Sequence, residues 1–138
     1  MRTASIFHGT GGTPDSFWLP AIAESLRARG VDVWAPQLPN SNHPSIDEWL
    51  PFALQHGNFS EDSILIGHST GCPLILAILE RLTTPVKQAI LVAGFAQPLP
   101  SGTSDILQQT YNWEDIRSNV QDVIIINSDN DPLGCDDT

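Results

Sequence analysis

The sequence predicts a single α/β domain: a three-layer sandwich with a mostly parallel five-stranded sheet and helices on both faces. Three observations carry that prediction. Short runs of continuous Ile, Leu and Val, the pattern of strands covered on two sides, alternate with longer stretches of helical period. The eleven prolines and ten glycines sit between these stretches as loop punctuation, with no repeat or low-complexity tract. A G-x-S-x-G pentapeptide, Gly67-His68-Ser69-Thr70-Gly71, lies between one apolar run and a helix-forming run.

In chain order, Thr3–Phe7 reads as a short buried strand that enters the glycine-rich loop His8–Pro14. From Asp15 to Arg29, Phe17, Trp18, Ala21, Ile22 and Leu26 recur at three- and four-residue steps. That spacing predicts an amphipathic helix with Asp15 or Thr13 as cap and Gly30 as stop. Pro20 falls in its first turns, where proline is tolerated. Val31–Ala35 is a second strand, and Pro36–Pro44 is a loop rich in Pro, Asn and Ser. A second helix follows over Ser45–Gln55, where Ser45 and Glu48 fit a capping box. Asp62–Ile66 is a third strand and Pro73–Leu82 the helix after the pentapeptide. Gln88–Gly94 and Val123–Asn127 complete the sheet. The segment Phe95–Ser118, with a short helix near Trp113–Arg117, has two readings: a lid over the sheet's carboxyl edge, or a long crossover.

At 138 residues the chain makes one domain with a sizeable core. Sixteen acidic against six basic residues give a net charge of −10, a surface that repels phosphate backbones and anionic membranes. Neither nucleic acid nor membrane is therefore expected as a partner. No stretch resembles a signal peptide or a membrane span, which favours a cytoplasmic location. Two cysteines, Cys72 and Cys135, make no disulfide framework. Cys72 sits where a helix N-terminus could lower a thiol pKa, although a small apolar packing role is the commoner one.

The pentapeptide carries the chemistry. A serine between strand and helix, with glycine two residues to either side, is the signature of a nucleophile elbow. The turn must lift the Ser69 hydroxyl above the sheet edge, and a side chain at position 67 or 71 would crowd the strand or the helix start. In open α/β sheets ligands bind at the carboxyl ends of strands, where three suggestive loops leave. The loop His8–Gly12 can supply an oxyanion donor, because glycines let backbone N–H groups approach a substrate. The expected donors are the amides of Thr70 and Thr10, with Gly9 or Gly11 as near alternatives; His8 and Gly9 are expected to contact substrate. A dinucleotide loop starting at Gly9 would need glycine where Pro14 stands, and no Gly-Lys-Ser/Thr follows. No cofactor and no metal are expected.

A triad also needs a carboxylate, and elbow hydrolases follow the order Ser, Asp, His. Asp131, held before Pro132, is the preferred acid over Asp129, although Asp-Asn-Asp-Pro is also ordinary turn chemistry. The base is the difficulty, since residues 132–138 contain no histidine. Of the four histidines, His68 is expected to point away from the elbow, His56 and His43 to face solvent, and His8 to shape its loop.

These residues resemble the small α/β-hydrolase-fold serine hydrolases typified by retinoblastoma-binding protein nine and its bacterial relatives. The likeness runs through His8–Gly12, Trp49-Leu50-Pro51-Phe52, Ile66–Gly71, Tyr111–Ile116 and Ser128–Pro132. It implies Ser69 as nucleophile and Asp131 as acid, acting on small esters or amides. It also places the triad histidine after one more helix and strand, so the chain reads as C-terminally incomplete. A non-catalytic interaction module on the same fold is the alternative. Without a further strand, residues 123–127 would present an unpaired apolar edge, which predicts homodimerisation or aggregation.

Overall fold

The structure, a computed structural model, describes residues 2–100 and 104–135. Five strands, β1 (Thr3–Phe7), β2 (Asp32–Trp34), β3 (Ser63–His68), β4 (Val86–Val92) and β5 (Val120–Ile126), form one sheet in the order β2-β1-β3-β4-β5. Every neighbouring pair is parallel, where a mostly parallel sheet was expected. Each connection is therefore a crossover, and helices α1 (Leu19–Ala28), α2 (Ile46–His56), α3 (Gly71–Arg81) and α4 (Trp113–Ser118) make them.

Alternation along the strands separates two cores. Ile6 and Ile66 face α1, where they pack with Leu19 and Ala23. Phe7, Leu65, Ala89 and Leu91 face the opposite side, against α2, α3 and α4. Helix α3 is buried from Gly71 through Leu79, which explains its nearly unbroken apolar sequence. Burying each such Leu or Ile side chain contributes roughly 1.5–3 kcal/mol.

Helix α1 starts four residues later than its periodicity predicts. Thr13 Oγ1 accepts from the Asp15 amide at 3.1 Å and Ser16 Oγ accepts from the Thr13 amide at 2.9 Å, so a turn replaces the helix start. Phe17 then takes a left-handed φ of 52°, which no helix can continue, and Pro20 occupies the first turn. Trp18 caps the helix without a side-chain bond, in place of the expected Asp15 or Thr13. Gly30, at φ 80°, follows the helix end as the expected stop.

In α2, Ser45 Oγ accepts from the Asp47 amide, but Glu48 accepts instead from Asn40 Nδ2 at 3.2 Å. Only the serine half of the capping box forms. The segment after β4 serves both of its readings in part. Ile106 and Ile116 are buried in the α3-side core, and Asn119 Nδ2 donates to the Leu79 and Leu82 carbonyls, as a packed crossover would. Upstream, Phe95 and Leu99 instead border the carboxyl edge of the sheet beside Ser69.

Candidate active site

Strand β3 ends at His68, and the chain turns into α3 through Ser69 at φ 54°. A non-glycine residue in the left-handed region is uncommon, and such strain persists only where the surroundings enforce it. Here they do. The Ser69 amide donates to the Val92 carbonyl at 2.9 Å, and the Cys72 amide donates to the Ser69 carbonyl at 3.0 Å. A side chain at 71 would run into the Phe7 carbonyl oxygen, and one at 67 would meet Ile75 Cδ1 at 2.8 Å and the Gly71 backbone at 3.0 Å. Both glycines permit contacts that no other residue allows.

Ser69 opens into a cleft of about 310 Å³ above the sheet edge, bounded by the loop after β1, the start of the β4–α4 segment and the loop after β5. Gly9 lies against the elbow: a Cβ there would sit 3.1 Å from Ser69 Cβ. Thr10 Oγ1 donates to Thr70 Oγ1 at 3.2 Å, which ties the first loop to the elbow. Neither the Thr10 nor the Thr70 amide has a protein acceptor among the described residues. The amino end of α3 adds its partial positive charge beside Ser69.

Asp131 also lines this cleft, whereas Asp129 is exposed and does not. Asp131 Oδ1 accepts from the Leu133 amide at 2.8 Å, an Asx turn that fixes the carboxylate. The structure thus brings together Gly9, Thr10, Ser69, Thr70 and Asp131.

His8 does not join them. It is 1% exposed and both ring nitrogens are engaged: Nδ1 donates to the Gly9 carbonyl at 2.9 Å and Nε2 accepts from the Leu38 amide at 2.9 Å. Its ring meets Trp49 edge-on, and burial holds its pKa below the ordinary range. His8 therefore shapes the loop from beneath, in place of the expected substrate contact. His68 corrects the opposite expectation. Its imidazole lines the cleft, clamped edge-on by Phe17 and Trp18 with ring centroids 5.5 and 5.6 Å away. Neither ring nitrogen has a hydrogen-bond partner among the described residues. Burial lowers its pKa, and the Asp131 charge opposes that shift. His43 and His56 are exposed away from the cleft.

Cys72 proves to be a buried packing residue. Desolvation pushes its thiol up, so the helix end does not activate it. Among the described residues no three His, Cys, Asp or Glu side chains gather as a metal-ligand set, and no helix is long and apolar enough to cross a membrane. The cleft residues that periodicity missed are apolar: Phe17 was absorbed into a helical stripe, while Phe95, Leu99 and Leu133 carry no motif.

An all-parallel sheet with a serine elbow at the carboxyl end of its central strand defines an α/β-hydrolase fold. The chain belongs to the serine hydrolase family, whose model matches residues 4–137. It is similar to the putative hydrolase YdeN of Bacillus subtilis, 35% identical over 99 residues, covering 70% of this chain and 52% of that protein. The crystal structure of the ydeN gene product superposes with a TM-score of 0.89 at 29% identity, over 97% of this chain and 75% of that one. The serine hydrolase RBBP9 of Rattus norvegicus is 27% identical over 130 residues, covering 91% of this chain and 69% of that protein. The chain thus spans about half the length of YdeN.

Proposed function

We propose that the protein cleaves small neutral esters or amides with Ser69 as nucleophile. The observation that carries this reading is a strained, doubly anchored serine in a cleft it shares with a carboxylate and with Thr10 and Thr70, whose amides have no protein acceptor among the described residues. Ser69 Oγ attacks the carbonyl carbon while an imidazole takes its proton, and the N–H groups of Thr10 and Thr70 hold the oxyanion. The tetrahedral intermediate expels the alcohol or amine, which leaves with that proton, and water repeats the cycle to free the acid.

No histidine follows Asp131 in these 138 residues, and His68 alone of the four lines the cleft. Among the described residues His68 makes no hydrogen bond to Ser69 or Asp131, so the proton is not assigned to it; Asp131 is the acid of this reading. Hydrolysis of p-nitrophenyl acetate, lost in Ser69→Ala, is the expected result. Turnover that survives Ser69→Ala would refute the assignment of the nucleophile.

A second reading rests on β5. Val123, Ile124, Ile125 and Ile126 are 39–68% exposed on both faces of an edge strand. Such a strand invites pairing, and two copies meeting at β5 would form a homodimer. Sedimentation should then show a dimer that Ile125→Lys dissociates; a monomer at all concentrations would rule it out.

A further inference from the structure

Phe17 combines two features that neither folding nor packing explains. Its φ of 52° lies in the left-handed region, where a bulky aromatic is a genuine outlier. Its side chain is 82% exposed, so no buried area compensates for that backbone. The conformation is nevertheless enforced from both sides. The Ser16 amide donates to the Thr13 carbonyl and the Leu19 amide to the Ser16 carbonyl, each at 3.1 Å, which closes turns around residue 17. The result is a ring placed on the wall of the Ser69 cleft with its edge against His68.

The rest of the cleft shows what that ring is placed to meet. Leu133, 57% exposed, and the partly buried Phe95 and Leu99 supply further apolar surface. Among the described residues no lysine or arginine lines it, and Asp131 is its carboxylate. An anionic substrate would meet repulsion with no cation to offset it, whereas a neutral hydrocarbon chain finds a lipophilic wall.

Resting on the hydrolase reading above, we infer that Phe17 is the specificity-determining residue of this cleft. Its ring packs against the apolar acyl chain of a neutral ester, so medium-chain acyl esters are preferred over acetyl esters. Strain at Phe17 is retained because it presents the ring to substrate.

Two measurements test this. The first compares kcat/KM for p-nitrophenyl octanoate and p-nitrophenyl acetate in the wild type, Phe17→Gly and Phe17→Leu. The octanoate-to-acetate ratio should fall about tenfold in Phe17→Gly, through KM, and largely recover in Phe17→Leu. The melting temperature of Phe17→Gly should rise, since glycine accepts this φ without strain; a merely structural phenylalanine would not combine that rise with lost discrimination. The second measures binding of the neutral fluorophore N-phenyl-1-naphthylamine to Ser69→Ala, with and without Phe17→Gly, and needs no turnover. Phe17→Gly should weaken it about fivefold or more. Phe17-dependent binding without any ester hydrolysis would overturn the hydrolase reading and leave the apolar site standing. An unchanged acyl ratio, or fluorophore binding indifferent to Phe17, would overturn the inference itself.

Discussion

The Thr10 hydroxyl donates to the Thr70 hydroxyl at 3.2 Å, joining the loop after β1 to the residue that follows Ser69. Thr70 is 1% exposed and fixed at the elbow, while Thr10 is exposed and reaches the elbow through this bond. An oxyanion hole works only when its donors are aimed before the charge develops. Thr10→Val keeps the shape and the amide but removes the tether, at a net cost of about 0.5–1.5 kcal/mol. The expected result is a fall of about 2- to 10-fold in kcat for an ester substrate, restored by Thr10→Ser, as read by steady-state kinetics.

Gly71 and Gly30 separate two ways in which a glycine can be required. A Cβ at Gly71 meets the Phe7 carbonyl oxygen and lies 3.0 Å from the His8 carbonyl oxygen; both are backbone atoms at the end of β1, which cannot give way cheaply. Gly30 has open space around it and differs only in its φ of 80°. Gly71→Ala should therefore destabilise by about 3 kcal/mol or more, as severe overpacking does. Gly30→Ala should cost only about 1 kcal/mol, the left-handed penalty alone. Urea denaturation of both variants checks the order, and equal losses would contradict it.

Two partly or fully buried histidines bear on the acid stability of the fold. His8 and His68 both have pKa values held below 6.5 by burial. The unfolded chain then binds more protons than the folded one between the depressed values and about 6.5, so stability rises with pH across that window and levels off above it. The melting temperature should fall as pH drops from about 6.5 toward 5, less steeply in His68→Gln. A melting temperature flat between pH 5 and 7 would show that these imidazoles titrate normally in the folded state.

The strands were legible because continuous Ile, Leu and Val suit a sheet covered on both faces, and the elbow because its glycines answer a local steric demand. Periodicity misled at Phe17, whose spacing fits a helical stripe while its backbone breaks the helix. The roles of His8 and His68 were beyond reach for another reason. His8 follows β1 and His68 ends β3 at the same edge, and which of them turns into the cleft is decided by partners distant in sequence: Leu38 and Trp49 hold His8 down, while Phe17 and Trp18 clamp His68 at the surface.

Every step of the proposed reaction begins with Ser69 as an activated nucleophile, and covalent labelling reads that directly. A fluorophosphonate probe should form one adduct on the folded 138-residue chain, mapped by mass spectrometry to the peptide carrying Ser69. Ser69→Ala should abolish the adduct. A folded protein whose Ser69 stays unmodified, or which is labelled equally after Ser69→Ala, would contradict the account.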